Sequence, residues 1–305
     1  MFAINNVIRS LSRKKEDKLN IVLINSFFDE YIKILTKLDH NFYIIAEAAQ
    51  HKQWNSVRTI PNLQICSSQW DVSLINVDFI IAFDRGLLYH YASMLSHLWH
   101  IPIILVDIAS SKVEYPMPVF QPYEKKGPLI MNNGIINISC SKDVQESWST
   151  PWTSEVNYTI HIPPMENKKP SNQHKILIDS NFTKEYLEQI SLIIDDRFTT
   201  NYEEAAVYLN LWQFYTPLMS NCLENEIPVV TFKENESLSS FKDFCFFIDQ
   251  NEDPFSVFDK QDFVLKINNG KKFMSDKGLD VFCNKWSLAL DYAKNIFYKR
   301  GEYAR

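Results

Sequence analysis

The sequence predicts an α/β fold built from two Rossmann-like domains that face each other across an interdomain cleft. Three observations predict it. Short, continuous apolar runs alternate with helical patterns, a proline-rich break divides the chain, and a long amphipathic helix closes it. Strands that are apolar throughout, rather than alternating, are those of parallel sheets covered on both faces.

Taken in order, residues 4–11 place Ile4, Val7, Ile8 and Leu11 at helical spacing, with Arg9, Arg13, Lys14 and Lys15 nearby. This is a terminal helix packed on its domain, with at most a peripheral membrane contact. Residues 20–25 (NIVLIN) are the first strand, 29–38 a helix and 40–46 (HNFYIIA) the second strand. Strands follow at 78–83, 101–107 and 135–140, with a helix at 87–99 and a short one at 141–147 that Ser141 is suited to cap. Residues 161–174 hold three prolines and two lysines without apolar periodicity, the composition of a linker. Beyond it come strands at 175–179, 205–209, 227–232 and 244–248 and helices at 183–190 and 217–224. Residues 279–299 carry Trp286, Leu290, Ala293 and Ile296 on one stripe. The expected division is 1–161, a linker at 162–174, a second domain at 175–285, and a terminal helix at 286–305 returning to the first domain.

Composition excludes several classes of function. With 46% hydrophobic residues and a net charge of −6, the 305 residues are globular rather than disordered. No apolar run reaches the ~18–20 residues of a membrane span. Without a cationic leader at residues 1–11, the expectation is a cytoplasmic protein. Five scattered cysteines with no C-x-x-C give neither a disulfide framework nor a thiolate zinc site. His97 and His100 sit at i, i+3 without a supporting carboxylate, so no metal is expected. Six glycines are about 2% of the chain, against a usual ~7%. Neither G-x-G-x-x-G nor G-x-x-x-x-G-K-[ST] is present, which argues against a Walker ATPase and an ordinary nicotinamide dehydrogenase. A nucleotide site in this chain must use side chains and helix N-termini.

Several stretches carry a resemblance. His40-Asn41-Phe42-Tyr43 is followed by Lys52-Gln53-Trp54-Asn55 and Ile60-Pro61-Asn62. Asp78 to Arg85 is a strand ending in an arginine, and residues 101–107 lead into Pro116-Met117-Pro118. Residues 136–148 read INISCSKDVQESW, 207–230 read VYLNLWQFYTPLMSNCLENEIPVV, and 282–294 read FCNKWSLALDYAK. Together these resemble the GT-B glycosyltransferases, particularly the large retaining family that uses nucleotide-sugar donors and its phage and environmental-bacterial subgroup. The resemblance implies a donor site in the second half with a degenerate motif. Its two carboxylates correspond to Gln213 and Asn221, and its glycine before x-P-V-V to Glu226, with Asn225 able to take the left-handed turn instead. Lys184 is the one basic residue near the end of the first strand of that half.

On that reading Lys184, Gln213, Thr216, Pro217 and Asn221 contact the donor, and Asp84 and Asp107 are the catalytic candidates, with Arg85 beside them. Pro217 suits the first helical position and Thr216 the N-cap, so the helix end carries partial positive charge for a diphosphate. The expected function is transfer of a sugar from a nucleotide-sugar to an unknown acceptor, with no cofactor. Two alternatives stand beside it: a catalytically degenerate protein that binds a ligand or partner, and a phage-type enzyme acting on modified DNA bases. The acidic pI of 5.7 disfavours nucleic acid as a partner.

Overall fold

The computed structural model describes residues 17–24, 29–46, 57–73, 75–83, 87–108, 136–147, 156–165, 169–171, 173–180, 182, 187, 194–212, 214–234 and 236–303. The chain forms two units. Unit 1 comprises Met1–Ser111, Tyr123–His161 and Phe282–Arg305, and unit 2 comprises Lys112–Pro122 and Ile162–Val281.

Unit 1 holds a seven-stranded sheet of β1 (Asn20–Ile24), β2 (Asn41–Ile45), β3 (Leu63–Cys66), β4 (Phe79–Phe83), β5 (Ile103–Asp107), β6 (Ile136–Ser139) and β7 (Val156–Thr159). Their order is β3-β2-β1-β4-β5-β6-β7, and every described pairing is parallel. This is the Rossmann order, extended by one strand. β4 and β5 are buried at all five positions, as their unbroken apolar sequences require. The helices are α1 (Asp29–Leu35), α2 (Gln69–Ser73), α3 (Leu87–Trp99) and α4 (Lys142–Ser147). Ser141 caps α4 as expected, accepting from the Val144 N–H at 3.3 Å.

Unit 2 holds β8 (Lys175–Leu177), β9 (Phe198–Thr199), β10 (Ala205–Leu209), β11 (Val229–Phe232) and β12 (Cys245–Ile248), in the order β12-β11-β10-β8-β9 and again parallel. Counted within the unit this is 2-1-3-4-5, the flavodoxin-like variant of the doubly wound sheet. Helices α5 (Pro217–Glu224) and α6 (Phe263–Met274) pack on each other in this unit. Gly270 of α6 permits the close approach: a Cβ there would lie 2.9 Å from Leu223 Cδ2.

The last helix, α7 (Leu279–Tyr303), begins in unit 2 and continues in unit 1. Its buried stripe is Phe282, Trp286, Ala289, Leu290 and Ala293. In unit 1 the Phe282 ring lies 6.2 Å from Tyr31 and the Tyr292 ring 5.9 Å from Tyr158. No helix among the described residues is long and apolar enough to cross a membrane.

Candidate functional site

In an open α/β sheet, ligands bind beyond the carboxyl ends of the strands, where the strand order reverses. In unit 2 that point lies between β8 and β10, which are sheet neighbours although β9 intervenes in sequence. Beyond β8 the chain continues through Ile178 to Asp179, and beyond β10 through Asn210 and Leu211 to Trp212. The indole N–H of Trp212 donates to the Asp179 carboxylate at 3.1 Å and so spans the reversal point. Phe182 and Phe214 flank the indole, with ring centroids 4.6 and 5.2 Å from it. A buried carboxylate bonded to an indole that is itself flanked by aromatic rings is a polar-in-apolar combination of the kind ligand sites use.

Asn210 braces the loop that carries Trp212. Its side-chain oxygen accepts from the Trp212 N–H at 3.0 Å and from the Tyr208 hydroxyl at 3.3 Å, while its amide nitrogen donates to the Phe214 carbonyl at 3.3 Å. Asn210 is fully buried, so these bonds replace water outright. Burial raises the Tyr208 hydroxyl well above its ordinary range, and the nearby Asp179 charge raises it further. Asp179, Asn210 and Trp212 were absent from the sequence-based site. The signal lay in their position at or just beyond the carboxyl ends of two predicted strands, 175–179 and 205–209.

The loop ends in α5. Thr216 is its N-cap, accepting from the Met219 N–H at 3.1 Å, and Pro217 opens the helix. Both residues were expected in these positions. The Thr216 hydroxyl is fully buried and also lies 3.3 Å from the Tyr208 hydroxyl, so it is spent inside the fold. The Asn221 side-chain oxygen accepts from the Met165 N–H at 2.6 Å, the lone pair that the sequence reading gave to a sugar hydroxyl. Asp84, Arg85, Lys184 and Gln213 lie outside the described residues, as does the segment 1–16. Asp107 ends β5 in unit 1, opposite Ser139 of β6, and is 2% exposed. The Cys140 N–H donates to its carbonyl at 3.1 Å. Burial pushes the Cys140 thiol up, and the Asp107 charge adds to this, so it is a poor nucleophile.

The stop of α5 departs from expectation. Glu226 itself adopts the left-handed conformation, at φ 60°, whereas Asn225 stays at φ −93°. The Ile227 N–H bonds the Cys222 carbonyl at 2.8 Å and the Glu226 N–H bonds the Leu223 carbonyl at 3.4 Å. These are the two bonds of a Schellman motif, whose left-handed residue is usually glycine. Glu226 pairs with Lys169 and, at 2.6 Å, with Lys271. Those two ammonium groups bring its carboxyl down to about 2. His100 ends α3 in the same way, at φ 54°, with the Ile101 N–H on the Ser96 carbonyl and its ring 5.4 Å from Phe297. That geometry gives His100 a structural role.

Fold and candidate site together define a two-unit, doubly wound α/β protein whose second sheet reverses its strand order beside Asp179 and Trp212. No protein-family model matches the chain, and no curated protein is similar to it in sequence. Among solved structures it is similar to the calicheamicin glycosyltransferase CalG4, with 9% identity, a TM-score of 0.48 and coverage of 90% of this chain and 99% of that one. It is equally similar to the glycosyltransferase SnogD from Streptomyces nogalater, with 9% identity, a TM-score of 0.48 and coverage of 90% and 100%.

Proposed function

We propose that the chain is a GT-B-type glycosyltransferase that takes a nucleotide-sugar at the reversal point of unit 2. One observation carries the reading: the Trp212–Asp179 bond, with the Phe182 and Phe214 rings beside the indole, stands at the carboxyl ends of β8 and β10, and the loop after β10 leads into the N-terminus of α5. A base or sugar ring packs on aromatic faces, and a hydroxyl donates to a carboxylate in a charge-assisted bond. The α5 N-terminus offers partial positive charge to a diphosphate. Catalysis would then be positioning together with stabilisation of the leaving diphosphate. Lys184 and Gln213 are the further donor contacts, and Asp84 and Asp107 the groups toward the acceptor. The Trp212–Asp179 bond fills the place a ligand hydroxyl would take, so binding exchanges the indole donor for the hydroxyl.

A second reading, binding without turnover, is favoured by Asn221 and Thr216. Their acceptor oxygens are engaged by the Met165 and Met219 N–H groups. A thermal-shift panel of nucleotides and nucleotide-sugars, followed by assay of sugar release, tests both. A ligand at about 100 times its dissociation constant stabilises by about 2.7 kcal/mol, so the unfolding midpoint rises measurably. Binding with sugar release supports transfer, and binding without it supports the second reading. A panel in which no nucleotide raises the midpoint refutes both.

A further inference from the structure

Within unit 1, helix α7 meets α1 and the carboxyl ends of the sheet in a sealed cluster. Tyr31 of α1, Trp286 of α7 and Cys140, directly after β6, are all 0% exposed. The Tyr31 ring stands edge-on to Phe83, the last residue of β4, with centroids 5.3 Å apart. Phe282 lies 6.2 Å from the Tyr31 ring and 6.2 Å from the Trp286 ring. Burial holds the Tyr31 hydroxyl well above its ordinary range, the Cys140 thiol raises it further, and the Trp286 indole draws it back. Indole and thiol therefore stand close enough to act on the hydroxyl. Neither closes a hydrogen bond with it: Tyr31 Oη and Trp286 Nε1 have no hydrogen-bond partner among the described residues. Buried polar atoms are bonded in the great majority of cases, because an unsatisfied one forfeits its hydration without return.

We propose that one internal water molecule is bound between Tyr31, Trp286 and Cys140, and that it joins α7 to α1 and to the end of β6. Polar groups that face each other beyond direct bonding reach are the ones a water bridges. An internal water makes about three hydrogen bonds, and these three side chains offer three. The indole N–H can only donate, so the water oxygen accepts from it. The phenol donates its proton to the second lone pair of the water. One water proton then points to the Cys140 sulfur, a weak acceptor. The Phe83 and Phe282 rings offer no competing acceptor on their sides of the cluster, so the polar groups turn to the water. The result is a polar joint at a place where apolar packing alone leaves two buried donors unsatisfied. The inference concerns unit 1 alone and does not depend on what unit 2 binds or on the reaction.

A high-resolution crystal structure of the full chain tests it. Density for one water is expected within about 2.7–3.2 Å of both Trp286 Nε1 and Tyr31 Oη. Tyr31→Phe, compared with the wild type in urea denaturation, adds a measurement whose sign decides. A hydroxyl that bonds the water contributes to stability, so its removal should raise the unfolding equilibrium constant about fivefold, the equivalent of one net hydrogen bond. A hydroxyl without a partner is a burden, and removing it leaves the protein as stable as before or more so. The proposal is overturned by a crystal structure with no water between the three side chains, or with a direct Trp286–Tyr31 hydrogen bond in its place. It is equally overturned by a Tyr31→Phe protein at least as stable as the wild type. The wild-type crystal structure decides the matter even if Tyr31→Phe does not fold.

Discussion

Replacing Glu226 separates two opposing contributions at the end of α5. A non-glycine residue in the left-handed region is strained by about 1–2 kcal/mol. Against this, the carboxyl is brought from 4.5 to about 2 by Lys169 and Lys271. At 1.36 kcal/mol per unit that shift has an upper bound of about 3.4 kcal/mol. The carboxyl side chain is 28% exposed and both lysines are more than half exposed. Solvent screening reduces the net stabilisation to about 1 kcal/mol. The folded value lies below the unfolded one, so the contribution is complete above about pH 4.5 and is lost as pH falls toward 2. Glu226→Gln keeps the backbone strain and removes the charge, so it should be about 1 kcal/mol less stable at pH 7. Its deficit should shrink by more than half at pH 3, and also in 1 M salt. Glu226→Gly removes strain and charge together. It should therefore match the wild type within about 0.5 kcal/mol at pH 7 and exceed it at pH 3. Urea denaturation of the three proteins at the two pH values provides the assay. A Gln deficit that is the same at pH 7 and pH 3, or a Gly variant that loses to the wild type at pH 3, would refute the reasoning.

Asn210→Ala should lower stability by about 2–3 kcal/mol, since it removes the buried acceptor of the Trp212 main-chain N–H and leaves the Tyr208 hydroxyl only its Thr216 partner. A loss under about 0.5 kcal/mol in denaturant titration would contradict the brace. Trp286→Ala in α7 removes a fully buried indole and should cost about 3–5 kcal/mol, read as a lowered denaturation midpoint with a preserved slope. Burial raises the thiols of Cys66, Cys140, Cys222 and Cys245, whereas Cys283 is part-exposed. A thiol reagent on the folded protein should therefore modify Cys283 first, and mass spectrometry that finds Cys222 or Cys245 labelled earlier would oppose this.

Much of the architecture was legible because its strands are apolar and unbroken. The run FIIAF is β4, IILVD is β5 and AAVYL is β10, each buried nearly throughout. The helices at 87–99 and 217–224 have the ends the sequence gives them, the second because Thr216 and Pro217 mark its start. Strands β3, β7 and β9 escaped notice for a common reason. LQIC and VNYT carry polar residues within four positions, and β9 is only two residues long, so neighbouring strands rather than their own pattern define them. Helix α6 was missed because Asn268, Asn269 and Gly270 interrupt it and because Val264 and Leu265 point to solvent.

The site was less legible than the fold. Thr216 and Pro217 were legible as the cap and first residue of α5, because capping chemistry is local. Asp179 and Trp212 are 33 residues apart, and only the order of the sheet brings them together. Asn221 was given an outward role by resemblance, whereas its oxygen accepts from Met165, a contact across 56 residues that no periodicity marks. The left-handed turn fell on Glu226 rather than Asn225. The two bonds of the Schellman motif fix its place by counting from Cys222 and Leu223, whatever residue stands there.

The central claim is that a nucleotide-sugar binds at the carboxyl ends of β8 and β10, against Trp212 and Asp179. Calorimetric titration of the wild type, Trp212→Ala and Asp179→Asn, with the nucleotide-sugar that most raises the unfolding midpoint, tests it directly. The account predicts saturable binding to the wild type. Each variant, shown to be folded by circular dichroism, should bind at least about tenfold more weakly, the loss of one charge-assisted hydrogen bond or aromatic contact. Equal affinity in all three proteins would contradict it and remove the site from these strand ends.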